Sequence, residues 1–131
     1  MRRLLLTFTL LLVTIPALAQ RVEATLYFIP WDVETRARLS ADDVRRLARL
    51  RIQYLDRGVL EDLVGTIGRL PMTVAQDESS EDVRLVIDID LPNGTKRTFA
   101  ASRFRILDSM SRTAREVNSH FRDRFSAVLA R

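Results

Sequence analysis

Alternation of apolar and polar positions is clearest between residues 83 and 107. Its first arm places apolar side chains at every second position, namely Val83, Leu85, Ile87, Ile89 and Leu91. This period predicts a strand with one buried face and one largely polar face. A second apolar arm follows Pro92-Asn93-Gly94, so the segment predicts a β-hairpin.

The turn residues fix the register of this hairpin. Pro92 lacks the N–H that a two-residue loop would require, so a three-residue loop fits better. Leu91 to Gly94 then forms a type I turn, Gly94 supplies the left-handed residue of a G1 bulge, and Leu91 faces Thr95. This register pairs Ile87 with Phe99, Leu85 with Ala101, Asp90 with Lys96 and Asp88 with Thr98.

Two further expectations follow from this pattern. Apolar parity changes at Phe104 and Ile106, which predicts a bulge or bend near Ser102 and Arg103. The outer face of the hairpin is too polar to carry a second layer of helices, which predicts a two-layer domain. Its outward residues are Arg84, Asp88, Asp90, Lys96 and Thr98.

Elements upstream of the hairpin alternate between strand and helix patterns. A strand is predicted over residues 22–29, and residues 33–39 form either an extended segment or an edge strand. Ser40 is a helix N-cap for a helix that ends near Arg49. A strand over 50–54 and a helix from Val59 to Ile67 follow, with Gly68 and Pro71 as the stop signals.

The last predicted element is an amphipathic helix. Its apolar stripe comprises Met110, Ala114, Val117, Phe121, Phe125 and Val128. Arg112, Arg115 and Arg122 lie opposite this stripe, facing water or a partner. The sequence thus predicts an α+β fold with a mixed or antiparallel sheet of four to five strands and about three helices, mainly on one face.

The amino-terminal residues read as an export signal. Arg2-Arg3, an apolar run and Ala17-Leu18-Ala19 predict a cleaved signal peptide over residues 1–19, leaving residues 20–131 as one domain. We therefore expect a periplasmic or secreted protein without stable membrane anchoring. Removing Arg2 and Arg3 lowers the net charge from +4 to +2, which makes nucleic acid a poor partner.

Residue types exclude several chemistries. The chain has one histidine, His120, and no cysteine, so a thiol nucleophile, a structural zinc site and a two-histidine metal site are excluded. No cofactor or metal is predicted, and the spacing around Asp88 and Asp90 does not match a calcium loop. On the predicted last helix, Glu116 and His120 are neighbours that could pair as an acid and an imidazole.

These absences favour a non-enzymatic protein-binding module, such as an inhibitor, an immunity-type protein or an envelope assembly factor. Trp31 follows Pro30 in a turn and is the predicted binding anchor; alternatively, its ring folds back over the sheet edge. An acidic loop is predicted to steer a basic protein partner, through Asp77, Glu78, Glu81 and Asp82.

The alternative function is a hydrolase that uses carboxylates alone. Its candidate residues are Glu61 and Asp62 together with Asp88 or Asp90. A buried carboxyl with a raised pKa in a cleft would favour the enzyme, whereas a flat acidic and aromatic patch would favour the binder.

Overall fold

The computed structural model describes residues 23–74 and 80–129. These residues form β1 (Glu23–Phe28), α1 (Ala41–Leu47), β2 (Leu50–Gln53), α2 (Arg57–Gly68), β3 (Met72–Thr73), β4 (Leu85–Asp90), β5 (Lys96–Ala101), β6 (Arg105–Asp108), β7 (Thr113–Glu116) and α3 (Ser119–Leu129). One antiparallel sheet has the strand order β2-β1-β4-β5-β6-β7-β3. The α+β class is confirmed, but the predicted four to five strands are too few.

The β4–β5 hairpin has the predicted register. Ile87 lies opposite Phe99, and all four predicted pairs occur in the sheet. The N–H of Gly94 donates to the Leu91 carbonyl at 3.0 Å, and the N–H of Leu91 donates to the Thr95 carbonyl at 2.9 Å. Gly94 has a φ of 81°, the left-handed conformation that the bulged turn requires.

The expected bend near Ser102 and Arg103 is a complete chain reversal. β5 ends at Ala101, which lies opposite Ile106 of the returning strand β6. The N–H of Ser102 donates to the carbonyl of Arg105 at 2.8 Å and closes this turn. The predicted second arm of the hairpin is thus two strands, β5 and β6. The alternation of apolar positions changes between them because the chain turns back.

The larger hydrophobic core lies between one face of the sheet and helices α2 and α3. We call this side the α2–α3 face. Its buried residues include Leu26, Phe28, Leu60, Leu63, Ile67, Leu85, Ile87, Phe99, Ile106, Phe121 and Phe125. The alternating apolar positions of β1, β4 and β5 all point into this core, as period-two burial requires.

Helix α1 packs on the opposite side of the sheet, which we call the α1 face. Val44 of α1 is buried in a second, smaller cluster with Val86 of β4 and Ala100 of β5. The expectation that this face carries no helix is therefore wrong. Its polar strand residues accommodate a helix because Asp88 accepts hydrogen bonds from Arg45 of α1, at 2.8 and 2.9 Å.

The last helix begins later than its stripe predicted. Met110 is exposed in the β6–β7 turn, and Ala114 is buried within strand β7. Asn118 marks the true start, because its side-chain oxygen accepts the N–H of Phe121 at 2.8 Å. A four-residue stretch that fits a helical stripe thus pairs with β6 and β3, because the sheet offers it partners on both sides.

The remaining elements largely follow the sequence pattern. Ser40 caps α1 in a capping box with Asp43, and β2 and α2 occupy the predicted segments. Residues 33–39 contain no strand, whereas β3 falls in a stretch predicted to be a loop. None of the helices in the described ranges has the length and apolar composition needed to span a bilayer.

Candidate functional site

Trp31 lies where the chain leaves β1 and crosses the end of the sheet towards α1. Its ring centroid is 5.2 Å from that of Phe28 and 6.2 Å from that of Phe125, in edge-to-face arrangements. The side chain is half-buried and packs at the margin of the larger core. This position matches the alternative in which the ring folds back over the sheet, and a binding role for Trp31 stays a prediction.

The acidic segment is only partly described. Asp77 and Glu78 lie outside the described residues. Glu81 is half-buried and accepts a hydrogen bond from Arg105 at 3.2 Å. Asp82 accepts the N–H of Leu39 at 2.9 Å and pairs with Arg84 at 2.7 Å. These last two carboxylates therefore anchor the fold, and steering of a partner by this segment stays a prediction.

Arg84 fixes the loop that carries Trp31. Its side chain is 2% exposed, although the sequence pattern placed it on a wet face. The guanidinium donates to the Val33 carbonyl at 2.6 Å, to Thr35 Oγ1 at 3.2 Å and to Asp82. A planar group with five N–H donors can join these three acceptors, which holds the loop in one position.

Phe104 is displayed at the same end of the sheet. It lies in the turn between β5 and β6 and is 69% exposed. Ser102 Oγ accepts the N–H groups of Phe104 and Arg105 at 3.2 and 3.1 Å. The Phe104 carbonyl also accepts the N–H of Val117 at 2.8 Å. The aromatic ring thus projects from a turn whose backbone is held on both sides.

Two buried N–H donors lack acceptors at this end of the sheet. Among the described residues, only Trp31 Nε1 and Arg103 Nε are buried side-chain polar atoms without a hydrogen-bond partner. Arg122 donates to the Arg103 carbonyl at 2.9 Å, and Phe125 contacts Trp31. Because residues three apart in a helix share a side, one side of α3 contacts both Trp31 and Arg103.

We call this end of the molecule the Trp31–Phe104 surface and define it as Trp31, Val33, Arg103 and Phe104. Val33 is 41% exposed, and its carbonyl is fixed by Arg84. A buried donor without an acceptor costs about 1–3 kcal/mol. The surface therefore displays the exposed apolar side chains of Val33 and Phe104, whereas the unpaired N–H groups of Trp31 and Arg103 are buried and out of direct reach of an external acceptor.

A larger cleft of about 710 Å³ opens on the α1 face. Its charged side chains are mostly neutralised within the fold: Arg45 pairs with Asp42 at 2.6 Å and with Asp88 at 2.8 Å. Burial opposes ionisation of Asp88, but hydrogen bonds from Arg45 and Thr98 hold its pKa below the ordinary value. This carboxylate therefore stays charged and paired, which suits a structural role.

The carboxylates of the alternative hydrolase are not brought together. Glu61 and Asp62 lie on α2 and pair with Arg57 and Arg124, whereas Asp88 lies beneath α1 on the other side of the sheet. Hydrogen bonds hold the pKa values of four carboxyls below the ordinary value, which is the reverse of what a general acid needs: Asp43, Asp82, Asp88 and Asp108.

The predicted helical pairing of Glu116 with His120 is wrong. Glu116 ends strand β7, and His120 lies in the first turn of α3, so the two do not stand one turn apart on a helix. Across residues 23–74 and 80–129, no three histidine or carboxylate side chains converge in a way that could hold a metal ion.

Sequence analysis missed two residues that shape this end of the sheet. The apolar alternation predicted that Phe104 faces the core, and it predicted that Arg84 lies on a solvent-facing side of the strand. The spacing of Asp82 and Arg84, two apart on an extended chain, was the available signal for an ion pair on one side of the strand.

No protein-family model, curated protein or solved structure matches this chain.

Proposed function

We propose that this protein is a small exported, non-enzymatic module that binds a protein partner through the Trp31–Phe104 surface. The observation that carries the proposal is Phe104, an aromatic side chain 69% exposed on a hydrogen-bonded turn. The fold gains little from an aromatic ring in water. A rigid aromatic, however, contributes a large contact area at a low entropic cost when a partner covers it.

The exposed side chains at this end of the sheet define the chemistry of that partner. Val33, which is 41% exposed, is a second apolar side chain of the surface. A complementary surface would contain an apolar pocket for the Phe104 ring and an apolar patch for Val33. Binding would bury the apolar area of both side chains.

Export is part of the same proposal and rests on residues 1–19, which lie outside the described residues. The apolar run followed by Ala17-Leu18-Ala19 supports cleavage before Gln20. Intact-mass measurement of protein recovered from the periplasmic or culture fraction tests this step. A product that retains residues 1–19 would contradict it.

The binding proposal is tested by capture from a periplasmic extract with the mature protein and the Phe104→Ala variant. Tyr54→Ala is the matched control, because Tyr54 is an aromatic side chain 74% exposed after β2, at the opposite end of the sheet. We expect Phe104→Ala to lose a captured protein that wild type and Tyr54→Ala both retain. Equal capture by all three proteins would reject the Trp31–Phe104 surface.

Trp31→Ala separates the two roles open to that side chain. If Trp31 serves as a second anchor, the variant loses capture while its melting temperature stays near that of wild type. A large fall in melting temperature instead assigns the ring to the core beside Phe28 and Phe125.

A further inference from the structure

A second cavity, of about 240 Å³, lies on the α2–α3 face away from the Trp31–Phe104 surface. It is bounded by the carboxyl-terminal half of α2 and by the strands β5, β6 and β7. The lining residues that determine its chemistry are Val64, Ile67, Phe99, Arg97, Asp108 and Arg115. This volume is below the ~300–1,000 Å³ of sites for drug-sized ligands, so any occupant must be small.

One part of this cavity is apolar. Ile67 is 3% exposed, Phe99 is 2% exposed and Ile106 is 1% exposed, so the hydrophobic lining is continuous with the main core. Val64 of α2 is half-buried and packs against the same core. A short hydrocarbon group placed here would gain the usual free energy of apolar burial.

The charged part contains one internally neutralised pair. Arg97 donates to both carboxylate oxygens of Asp108, at 3.2 and 2.6 Å, and its guanidinium carbon lies 4.6 Å from the Phe99 ring centroid. Burial opposes ionisation of Asp108, but Arg97 and Ser111 hold its pKa below the ordinary value. The pair therefore contributes no net charge to the cavity.

Arg115 supplies the remaining charge. Its Nη1 donates to the Leu70 carbonyl at 2.8 Å, which fixes the side chain, and it forms no ion pair among the described residues. Among the described residues, the cavity lining therefore carries one positive charge that is not compensated by an ion pair. The Nε and Nη2 groups of Arg115 make no hydrogen bond within the described part of the chain, and guanidinium N–H groups bind carboxylates well.

We propose that this cavity binds a small monocarboxylate with a short apolar tail. The carboxylate pairs with Arg115, and the tail lies over Phe99 and Ile67. A single negative charge matches Arg115, the one guanidinium of the described lining that forms no ion pair, whereas a dianion such as phosphate would leave excess charge beside Asp108 and would gain nothing from the apolar lining.

The proposal is tested by titrating the mature protein with hexanoate and following backbone amide resonances by NMR. We expect saturable shifts in β5–β7 and the end of α2, with a dissociation constant of about 1 mM for so small a ligand. Hexanol has the tail without the charge, and acetate has the charge without the tail. Each should bind at least about tenfold more weakly than hexanoate.

Two variants probe the two parts of the cavity separately. Arg115→Gln removes the charge, and Arg69→Gln is its control, because Arg69 is exposed at the end of α2 and makes no ion pair in the described residues. Val64→Phe fills the apolar part without altering a charge. We expect both Arg115→Gln and Val64→Phe to weaken hexanoate at least about tenfold, and Arg69→Gln to leave it unchanged.

Several results would overturn the inference: no saturable hexanoate binding, equal binding of acetate or hexanol, or unchanged binding by Val64→Phe with a folded spectrum. A parallel titration with acetyl-leucine distinguishes the source of the carboxylate. Tighter binding of acetyl-leucine assigns the cavity to a peptide carboxyl terminus, and tighter binding of hexanoate assigns it to a free short-chain acid. Both outcomes support the site.

Discussion

The two faces of the sheet are packed by different means. On the α2–α3 face, aromatic and branched side chains fill a continuous core in which Phe121 and Phe125 are almost wholly buried. On the α1 face, a small apolar cluster around Val44 is bordered by ion pairs from Arg45 and Arg84. The α2–α3 layer is thus held mainly by burial of apolar area, whereas the α1 layer depends also on partly buried ion pairs.

This difference shows why polarity is a poor guide to whether a strand face is covered. Asp88 looks like a solvated position in the sequence, yet it accepts hydrogen bonds from a helix laid across it. A charged residue can face another protein layer when its partner arrives from that layer.

Truncation of the larger core should have the largest effect. We expect Phe121→Ala to lower the free energy of unfolding by about 3–5 kcal/mol, because its ring is 2% exposed against the sheet. Urea titration measures this loss. Phe104→Ala, which removes an exposed ring of the same type, should change it by less than about 0.5 kcal/mol. Similar losses for both would mean that α3 is not docked on the sheet.

The charge-dependent face is tested by Asp82→Asn. This change keeps an oxygen for the N–H of Leu39 but leaves the buried Arg84 guanidinium without its carboxylate. We expect a loss of about 2–3 kcal/mol, less than for a wholly buried pair because Asp82 retains contact with water. Adding Arg84→Met should recover part of that loss in a urea titration. Additive losses in the double variant would show that the pair is not coupled.

The turn at Gly94 sets the register of β4 against β5. A shift of this register by one residue would move every side chain of one strand to the other face of the sheet. A Cβ atom at Gly94 meets nothing within 4 Å, so Gly94→Val is penalised through its φ of +81°. We expect a loss of about 1–3 kcal/mol by thermal melting. Gly65→Ala also adds a Cβ in open space, but within α2, and should instead stabilise by about 0.5–1 kcal/mol. A gain at both positions would reject the bulged turn.

Acid should affect the α1 face through Asp88. Its pKa is lowered in the folded protein, so its contribution to stability is fully present above the ordinary value of 3.8. That contribution is lost as pH falls through the lower folded pKa. We expect wild type to lose stability below about pH 4 more steeply than Asp88→Asn, measured by urea titration at each pH. Parallel curves would show that Asp88 has no such role.

The sequence predicted the central hairpin because local chemistry and core burial agree there. Pro92 and Gly94 select one loop geometry, and that geometry sends Ile87 and Phe99 to the same face. Ser40 likewise marks α1 through a side chain that caps its own helix. In both cases, residues close in sequence determine the outcome.

The sequence failed where distant partners decide. Residues 113–116 fit a helical stripe, but they complete the sheet between β6 and β3. Arg84 was expected in solvent but is buried, because the loop after β1 covers it. Phe104 was expected to face the core but is exposed, because the chain reverses between β5 and β6. The charged part of the 240 Å³ cavity also depends on Arg97, Asp108 and Arg115, which only the sheet brings together.

The position of β1 has a consequence for how the chain folds. Leu26 lies opposite Ile52 on one side and Ile87 on the other, so the first described strand sits inside the sheet. Strands β4 to β7 are joined by short turns and can pair locally, which is fast. β1 must instead close a long loop before it meets β4.

Until that closure, β4 presents an open edge of alternating apolar residues, which is the kind of edge that pairs with other chains. We therefore expect the pairing of β1 with β4 to limit the folding rate. Among the described strands, β1 is the first to be synthesised. Its pairing with β4 covers the edge through which the chain could aggregate.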